Sequence, residues 1–191
     1  MNDFEKLSVI KPFGPSIGEL IVKEEFVNDL NEYCKIVLNE EGRAKKLDVG
    51  KGLAGQVKQE FEVDINFFNL KINNYLTNMI KNYLWKSIEK KNETYEEFKN
   101  KIKVIYKNKW IVRQFENEYN PIHHHSGHVS GVGYLKVPKS INEISEKKKV
   151  NDKGRLTLIH GSVNLFSKAT YVIKPEVGDF YLFPNYLSRY L

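Results

Sequence analysis

The spacing of apolar side chains separates a helical first part of the chain from a strand-rich second part. Between residues 24 and 38, apolar residues recur at intervals of three and four, which is the period of one buried helix face. Residues 67–88 keep this interval over a longer stretch, and residues 93–99 predict another short helix. Residues 1–100 are therefore expected to be mainly helical, with a turn at the Pro- and Gly-containing segment 12–16.

The hydrophobic pattern changes near residue 101 to short runs of β-branched and aromatic residues, which Pro, Gly, Asn and Asp separate. These runs predict strands, and they read KVIYKNKWIVRQFENEY, HVSGVGYLKVP, RLTLIHGSV, ATYVIKP and DFYLFP. The polar residues 139–155 predict an exposed loop. Helices followed by many short strands favour a single α+β domain over residues 1–191. In that domain the helices pack on a sandwich or jelly-roll barrel formed by residues 101–191.

Composition narrows the function classes. The net charge of +6 comes from lysines that are interspersed with acidic residues, so the sequence predicts no nucleic-acid surface. The single cysteine, Cys34, falls on the first helical pattern, where it is expected to act as a small buried hydrophobe. There is no basic leader and no long apolar run, so we expect a cytoplasmic protein without a membrane span.

The candidate chemistry lies in a histidine cluster, because four of the five histidines fall between His123 and His128. In an extended segment, residues two apart face the same side, so His123 and His125 would point together and His124 away. With one further ligand from a distant strand, such a pair makes the open metal site of a non-haem iron oxygenase. Two alternatives stay open at this point: a zinc hydrolase site, and loop histidines that bond backbone carbonyls.

Five segments of the chain resemble a family of 2-oxoglutarate- and Fe(II)-dependent oxygenases found in marine bacteria and their phages. The segments are SVIKPFGPSI (8–17), LAGQV (53–57), WIVRQFENEYNPIHHHSGHVSGVGYLKVP (110–138), GRLTLIHGS (154–162) and KPEVGDFYLFPNYL (174–187). The resemblance implies a double-stranded β-helix, which is a jelly roll of the cupin kind, wrapped by the N-terminal helices. It also implies Fe(II) as cofactor and 2-oxoglutarate as co-substrate.

The same resemblance assigns expected roles to four residues. His123 and His125 would be metal ligands. Tyr134 would donate a hydrogen bond to the co-substrate, although a core tyrosine is the simpler interpretation. Asn120 would orient a ligand, although the following Pro121 also suits a turn.

One position departs from the family pattern. The relatives carry a further metal histidine two residues after the leucine of FPxxL, and this chain has Arg189 there. A guanidinium only donates hydrogen bonds, so Arg189 cannot be a metal ligand. Three explanations are open: a truncated chain that lacks the last strands, a natural homologue with a binding role, or a metal site completed by His128 or His160.

Two functions follow from these observations. The first is a dioxygenase that hydroxylates an unknown substrate, with weak or no turnover in this copy. The second is a non-catalytic jelly-roll binding or assembly protein of a phage or bacterium. A missing last strand would expose an unpaired sheet edge, so we also expect pairing with another chain, such as a homo-oligomer.

Overall fold

The computed structural model describes residues 4–12, 14–88, 92–142, 154–165 and 167–190. The strands among them are β1 Phe4–Ile10, β2 Ile17–Val22, β3 Gln59–Glu62, β4 Trp110–Arg113, β5 Val129–Gly133, β6 Leu156–Ile159, β7 Thr170–Ile173, β8 Asp179–Pro184 and β9 Ser188–Tyr190. The α-helices are α1 Glu24–Asn39, α2 Arg43–Lys46, α3 Ile65–Phe67, α4 Asn73–Ser87 and α5 Tyr95–Lys101. A π-helical turn at Phe68–Ile72 joins α3 to α4, and 3-10 turns lie at Gly50–Gly52 and Lys139–Asn142.

Two antiparallel sheets enclose an inner core. The larger sheet has the strand order β1-β2-β8-β5 and the smaller has the order β7-β6-β9. Both sheets send apolar side chains into the space between them. This inner core consists of Ile17, Leu156, Leu158, Ile173, Tyr181, Phe183 and Leu187, with Ile10, Val132, Tyr134 and Tyr171 packed against it.

The helices cover the opposite face of the larger sheet. The apolar face of α1 and the buried residues of α4 form an outer core with Leu20 and Leu182 of the sheet. Tyr83 of α4 donates its hydroxyl to the Ser16 carbonyl at 2.8 Å and crosses Gly18, where a Cβ would lie 2.6 Å from its ring. Only glycine therefore lets this helix pack so closely on β2.

Most of the predicted elements form, although their bounds shift. The α+β class is confirmed, as are the helix at α1 and the strands β6, β7 and β8. The run KVIYKNKWIVRQFENEY forms a strand only at β4, with a further single bridge between Tyr119 and Gln56, and the strand predicted by HVSGVGYLKVP ends at Gly133. Residues 4–22 contribute two strands that the sequence did not predict. Residues 143–153 of the predicted polar loop lie outside the described residues.

Cys34 packs against the outer core as expected. Its side chain is partly buried, and this burial raises the pKa of the thiol to about 11. The thiolate, which is the reactive form, is therefore scarce at neutral pH.

A third, two-stranded sheet of β3 and β4 carries a buried acid, Glu60. Glu60 is 3% exposed, and neither carboxylate oxygen has a hydrogen-bond partner among the residues that the structure describes. Burial, reinforced by the nearby charges of Asp48 and Glu118, raises the pKa of Glu60. A raised pKa means that the folded state holds the proton more tightly, so stability is lost as pH rises from the unfolded pKa through the folded one.

We expect Glu60→Gln to stabilise the protein by about 1 kcal/mol at pH 7, because it removes a buried charge without a partner. The gain should shrink towards pH 4, where Glu60 is protonated in the folded state. Urea unfolding at both pH values measures it. Glu62→Gln is the matched control, since Glu62 lies on the same strand but is exposed. Equal unfolding free energies of Glu60→Gln and the unsubstituted chain at pH 7 would contradict the prediction.

Candidate functional site

The structure ties the histidine segment to the last described strand. His123 and Arg189 form an isolated antiparallel bridge in which each backbone N–H donates to the other's carbonyl at 3.0 Å. The Asn185 side-chain amide adds a second anchor by donating to the His125 carbonyl at 2.9 Å. The segment is thereby held in an extended conformation.

The extended conformation brings two imidazole rings together, as the alternation predicted. The ring centroids of His123 and His125 lie 5.1 Å apart at an interplanar angle of 44°, and both side chains are partly buried. His124 between them is exposed. Trp110 of β4 packs edge-on against the His125 ring, with centroids 5.1 Å apart, and so limits the positions that this ring can take.

The tautomer of His123 follows from one hydrogen bond. Its Nδ1 lies 2.7 Å from the Pro121 carbonyl oxygen. A carbonyl only accepts, so Nδ1 carries the proton and Nε2 is left with its lone pair. This is the arrangement in which a histidine is oriented by its backbone and can bind a metal or accept a hydrogen bond.

Arg189 faces the same side as this pair, because directly paired residues of an antiparallel ladder share a face. It is 2% exposed, and its Nη1 and Nη2 atoms have no hydrogen-bond partner in the part of the chain that the structure describes. The guanidinium lies over the Phe183 ring at 5.4 Å. Burial lowers the pKa of Arg189 to about 10, so the group stays charged at neutral pH.

The two histidines are neutral at the same pH. Burial lowers the pKa of His125 to about 4, with a further contribution from the charge of Arg189. Burial likewise lowers the pKa of His123, and the Arg189 charge acts in the same direction, although the bond to Pro121 opposes both. The cluster therefore presents two uncharged imidazoles and one buried cation.

The other residues singled out in the sequence lie in separate surroundings. Tyr134 packs against the inner core, edge-on to Tyr181 at 6.4 Å, and its buried hydroxyl has no hydrogen-bond partner in the described part of the chain. Asn120 places its side-chain amide over Gly55, where an added Cβ would collide with it. The roles expected for Tyr134 and Asn120 towards a co-substrate stay predictions.

His128 and His160, the two histidines considered for a third ligand, have other neighbours. His128 is exposed and lines an open cavity of about 400 Å³ together with Lys11, Tyr83 and Tyr186. The His160 ring lies 6.2 Å from the Tyr186 ring. Across the described ranges, no group of three or more His, Cys, Asp or Glu side chains could hold a metal ion.

The contacts of Asn185 and Trp110 with the histidine segment were not predicted from the sequence. Asn185 lies inside the terminal segment KPEVGDFYLFPNYL, so its placement near the histidines had a signal in that motif. The contact of Trp110 with His125 had none, because it depends on how β4 packs.

Two of the three side chains at the site are of the kind that binds non-haem iron, and the third is not. His123 and His125 offer imidazole nitrogens on one face, as such a site requires. Arg189 lies at the third position with a buried positive charge and no lone pair, so it repels a divalent ion instead of binding it. The residues present therefore lack one of the three ligands that an Fe(II) site of this kind needs.

No helix in the described part is long and apolar enough to cross a membrane.

Comparison with known proteins gives one match. No curated protein and no solved structure matches the chain. A family model described as "Putative 2OG-Fe(II) oxygenase" matches residues 108–190, which is less than half of the chain but includes the histidine segment and Arg189. That family implies Fe(II) and 2-oxoglutarate as cofactors, so the resemblance expected from the sequence is supported over this part of the chain, and a marine bacterial or phage source is not.

Proposed function

We propose that this protein is a jelly-roll domain of the 2-oxoglutarate- and Fe(II)-dependent dioxygenase type, in which Arg189 has replaced a metal ligand. The family reaction would be hydroxylation of a substrate that the sequence does not name. The match over residues 108–190 supports this proposal, as do two antiparallel sheets that face each other across one core. We expect turnover by this chain to be weak or absent.

The observation that carries the proposal is the bridge between His123 and Arg189. It places the residue that follows FPNYL by two positions directly beside the first histidine of His-x-His. In a working site of this type, the ligands come from these two segments. The chain thus keeps the backbone geometry of the site while one of its three side chains differs.

The surrounding residues would position the pair rather than react. The Pro121 carbonyl holds the His123 ring, the Asn185 amide holds the His125 backbone, and Trp110 packs beside the His125 ring. We propose that Tyr134 and Asn120 contact the co-substrate, as the family resemblance implies. A cytoplasmic location also belongs to this proposal.

Anaerobic titration with Fe(II) and 2-oxoglutarate tests the metal-facing pair. The chelate gives a weak visible charge-transfer band, and succinate formation measures turnover. We expect weak iron binding that disappears in His123→Ala and in His125→Ala. His124→Ala is the matched control, because it removes an exposed neighbour from the same segment.

Two outcomes would contradict the proposal. Equal iron affinity in all three histidine variants would place the metal elsewhere. Succinate formation at about 1 s⁻¹ or faster, within the ordinary range for enzymes, would show that Arg189 does not impair the site.

A second candidate function is a non-catalytic binding module that retains the fold. The buried guanidinium of Arg189 favours it, because this charge has no acceptor in the described structure. Such a group is costly to bury alone, and a bound anionic ligand would compensate for it. Ligand binding in the presence of a chelator distinguishes this candidate from the oxygenase.

A further inference from the structure

Arg189 carries a buried positive charge that no negative group in the described part of the chain balances. Arg189 is only 2% exposed, and both terminal nitrogens lack an acceptor within the residues that the structure covers. A guanidinium presents paired N–H groups whose geometry matches the two oxygens of a carboxylate. The group is thus arranged as a binding site whose acceptor is not part of the described chain.

The neighbours of Arg189 do not supply the missing negative charge. The Phe183 ring offers a cation–π contact at 5.4 Å, which is far weaker than a charged hydrogen bond. His123 and His125 lie on the same face, and an imidazole side chain supplies no negative charge. Both histidines are partly exposed, whereas Arg189 is buried.

We propose that the cluster of His123, His125 and Arg189 binds a small organic acid through its carboxylate, without a metal ion. The guanidinium takes the place of the metal as the positive centre that holds the acid. This inference rests on the non-catalytic form of the proposed function. It names small organic acids as the class of ligand that the binding module would take.

The tautomer of His123 narrows this class further. Its Nδ1 proton is committed to the Pro121 carbonyl, so Nε2 can only accept a hydrogen bond. A hydroxyl next to the carboxylate can donate to Nε2, whereas a keto oxygen at the same place would face a second lone pair. The site therefore favours a 2-hydroxy acid over the corresponding 2-oxo acid.

Calorimetric titration in the presence of EDTA tests the proposal. The probes are 2-hydroxyglutarate, 2-oxoglutarate, glutarate and inorganic sulfate. We expect 2-hydroxyglutarate to bind about ten-fold more tightly than 2-oxoglutarate or glutarate, which is the effect of one added hydrogen bond to a buried acceptor. Sulfate binding as tight as that of 2-hydroxyglutarate would show a general anion site and overturn the assignment.

Substitutions at Arg189 test the carboxylate contact. Arg189→Met should abolish binding, and Arg189→Lys should weaken it by about ten-fold because it keeps the charge but loses the paired donors. Arg113→Met is the matched control, since Arg113 is an exposed arginine of β4. Circular dichroism confirms folding of each variant, and Arg189→Lys remains informative if Arg189→Met does not fold.

The calorimetric titrations test the organic-acid site separately from the iron experiments. Unchanged affinity for 2-hydroxyglutarate in both Arg189 variants, or no binding by the unsubstituted chain at about 10 mM ligand, a very weak interaction, would overturn the inference. Either result would leave the oxygenase-type geometry untouched, because that geometry is tested by iron binding at the histidines.

Discussion

Arg189→His is expected to convert the cluster into an Fe(II) site, with affinity for the metal at least about 100-fold above that of the unsubstituted chain, or nearly 3 kcal/mol. Two effects act in the same direction. The substitution supplies a third imidazole on the face that His123 and His125 share. It also removes a cation: at an effective dielectric constant of about 20, a divalent ion about 5 Å from a guanidinium is repelled by roughly 6–7 kcal/mol.

The measurement is the charge-transfer band of the anaerobic Fe(II)–2-oxoglutarate chelate, followed by succinate formation on addition of oxygen. Arg189→Met is the control that separates the two effects, because it removes the cation without adding a ligand. We expect its affinity to lie between those of the unsubstituted chain and Arg189→His. If Arg189→His binds iron no better than Arg189→Met does, position 189 is not a ligand position and the proposed family geometry fails.

The placement of His123 and His125 could be predicted from local sequence because it needs only an extended backbone. Alternation then puts residues two apart on one side, whatever the rest of the chain does. The partner of the segment was found by counting along FPNYLSRYL to Arg189, and the backbone bridge agrees with that count. The burial of Arg189 and its lack of an acceptor among the described residues could not be predicted in this way, since both depend on packing between strands far apart in sequence.

The strands β1 and β2 show where hydrophobic spacing fails. The Pro and Gly residues at 12–16 predict a turn, and Val9, Ile17 and Leu20 on either side of that segment lie in β1 and β2. The pairing of β2 with β8, more than 150 residues away, has no local signal. The same reasoning applies to β4: Val104, Ile105 and Tyr106 before it also favour a strand, but the ladder with β3 covers only Trp110–Arg113.

The geometry of His123, His125 and Arg189 depends on how the two sheets pack together. Sheet pairing sets the distance between the histidine segment and β9, and the inner core fixes both sheets. His123 pairs with a residue of the smaller sheet, while β5, which follows the histidines, belongs to the larger one. The cluster therefore spans the two sheets, and its geometry depends on the side chains packed between them.

Phe183→Ala is expected to cost about 3–5 kcal/mol of the free energy of unfolding, which is the usual loss for removing a fully buried phenylalanine. Phe183 is 0% exposed, lies on β8 opposite Ser130, and joins the inner core. A domain of this size is stable by only about 5–15 kcal/mol, so the variant should be marginally folded. Urea unfolding followed by circular dichroism gives the value.

The same substitution should also disturb the cluster, because the Phe183 ring is the surface on which the Arg189 guanidinium rests. Phe115→Ala is the matched control: Phe115 is 44% exposed, and its loss should change the free energy of unfolding by less than about 1 kcal/mol. Phe183→Leu keeps most of the buried volume and should lose much less stability, yet it removes the ring beneath the guanidinium. A variant Phe183→Leu that is nearly as stable as the unsubstituted chain but binds 2-hydroxyglutarate more weakly would show that the ring positions Arg189. If Phe183→Ala unfolds at the same urea concentration as Phe115→Ala, then Phe183 does not hold the two sheets together and the inner core described above is wrong.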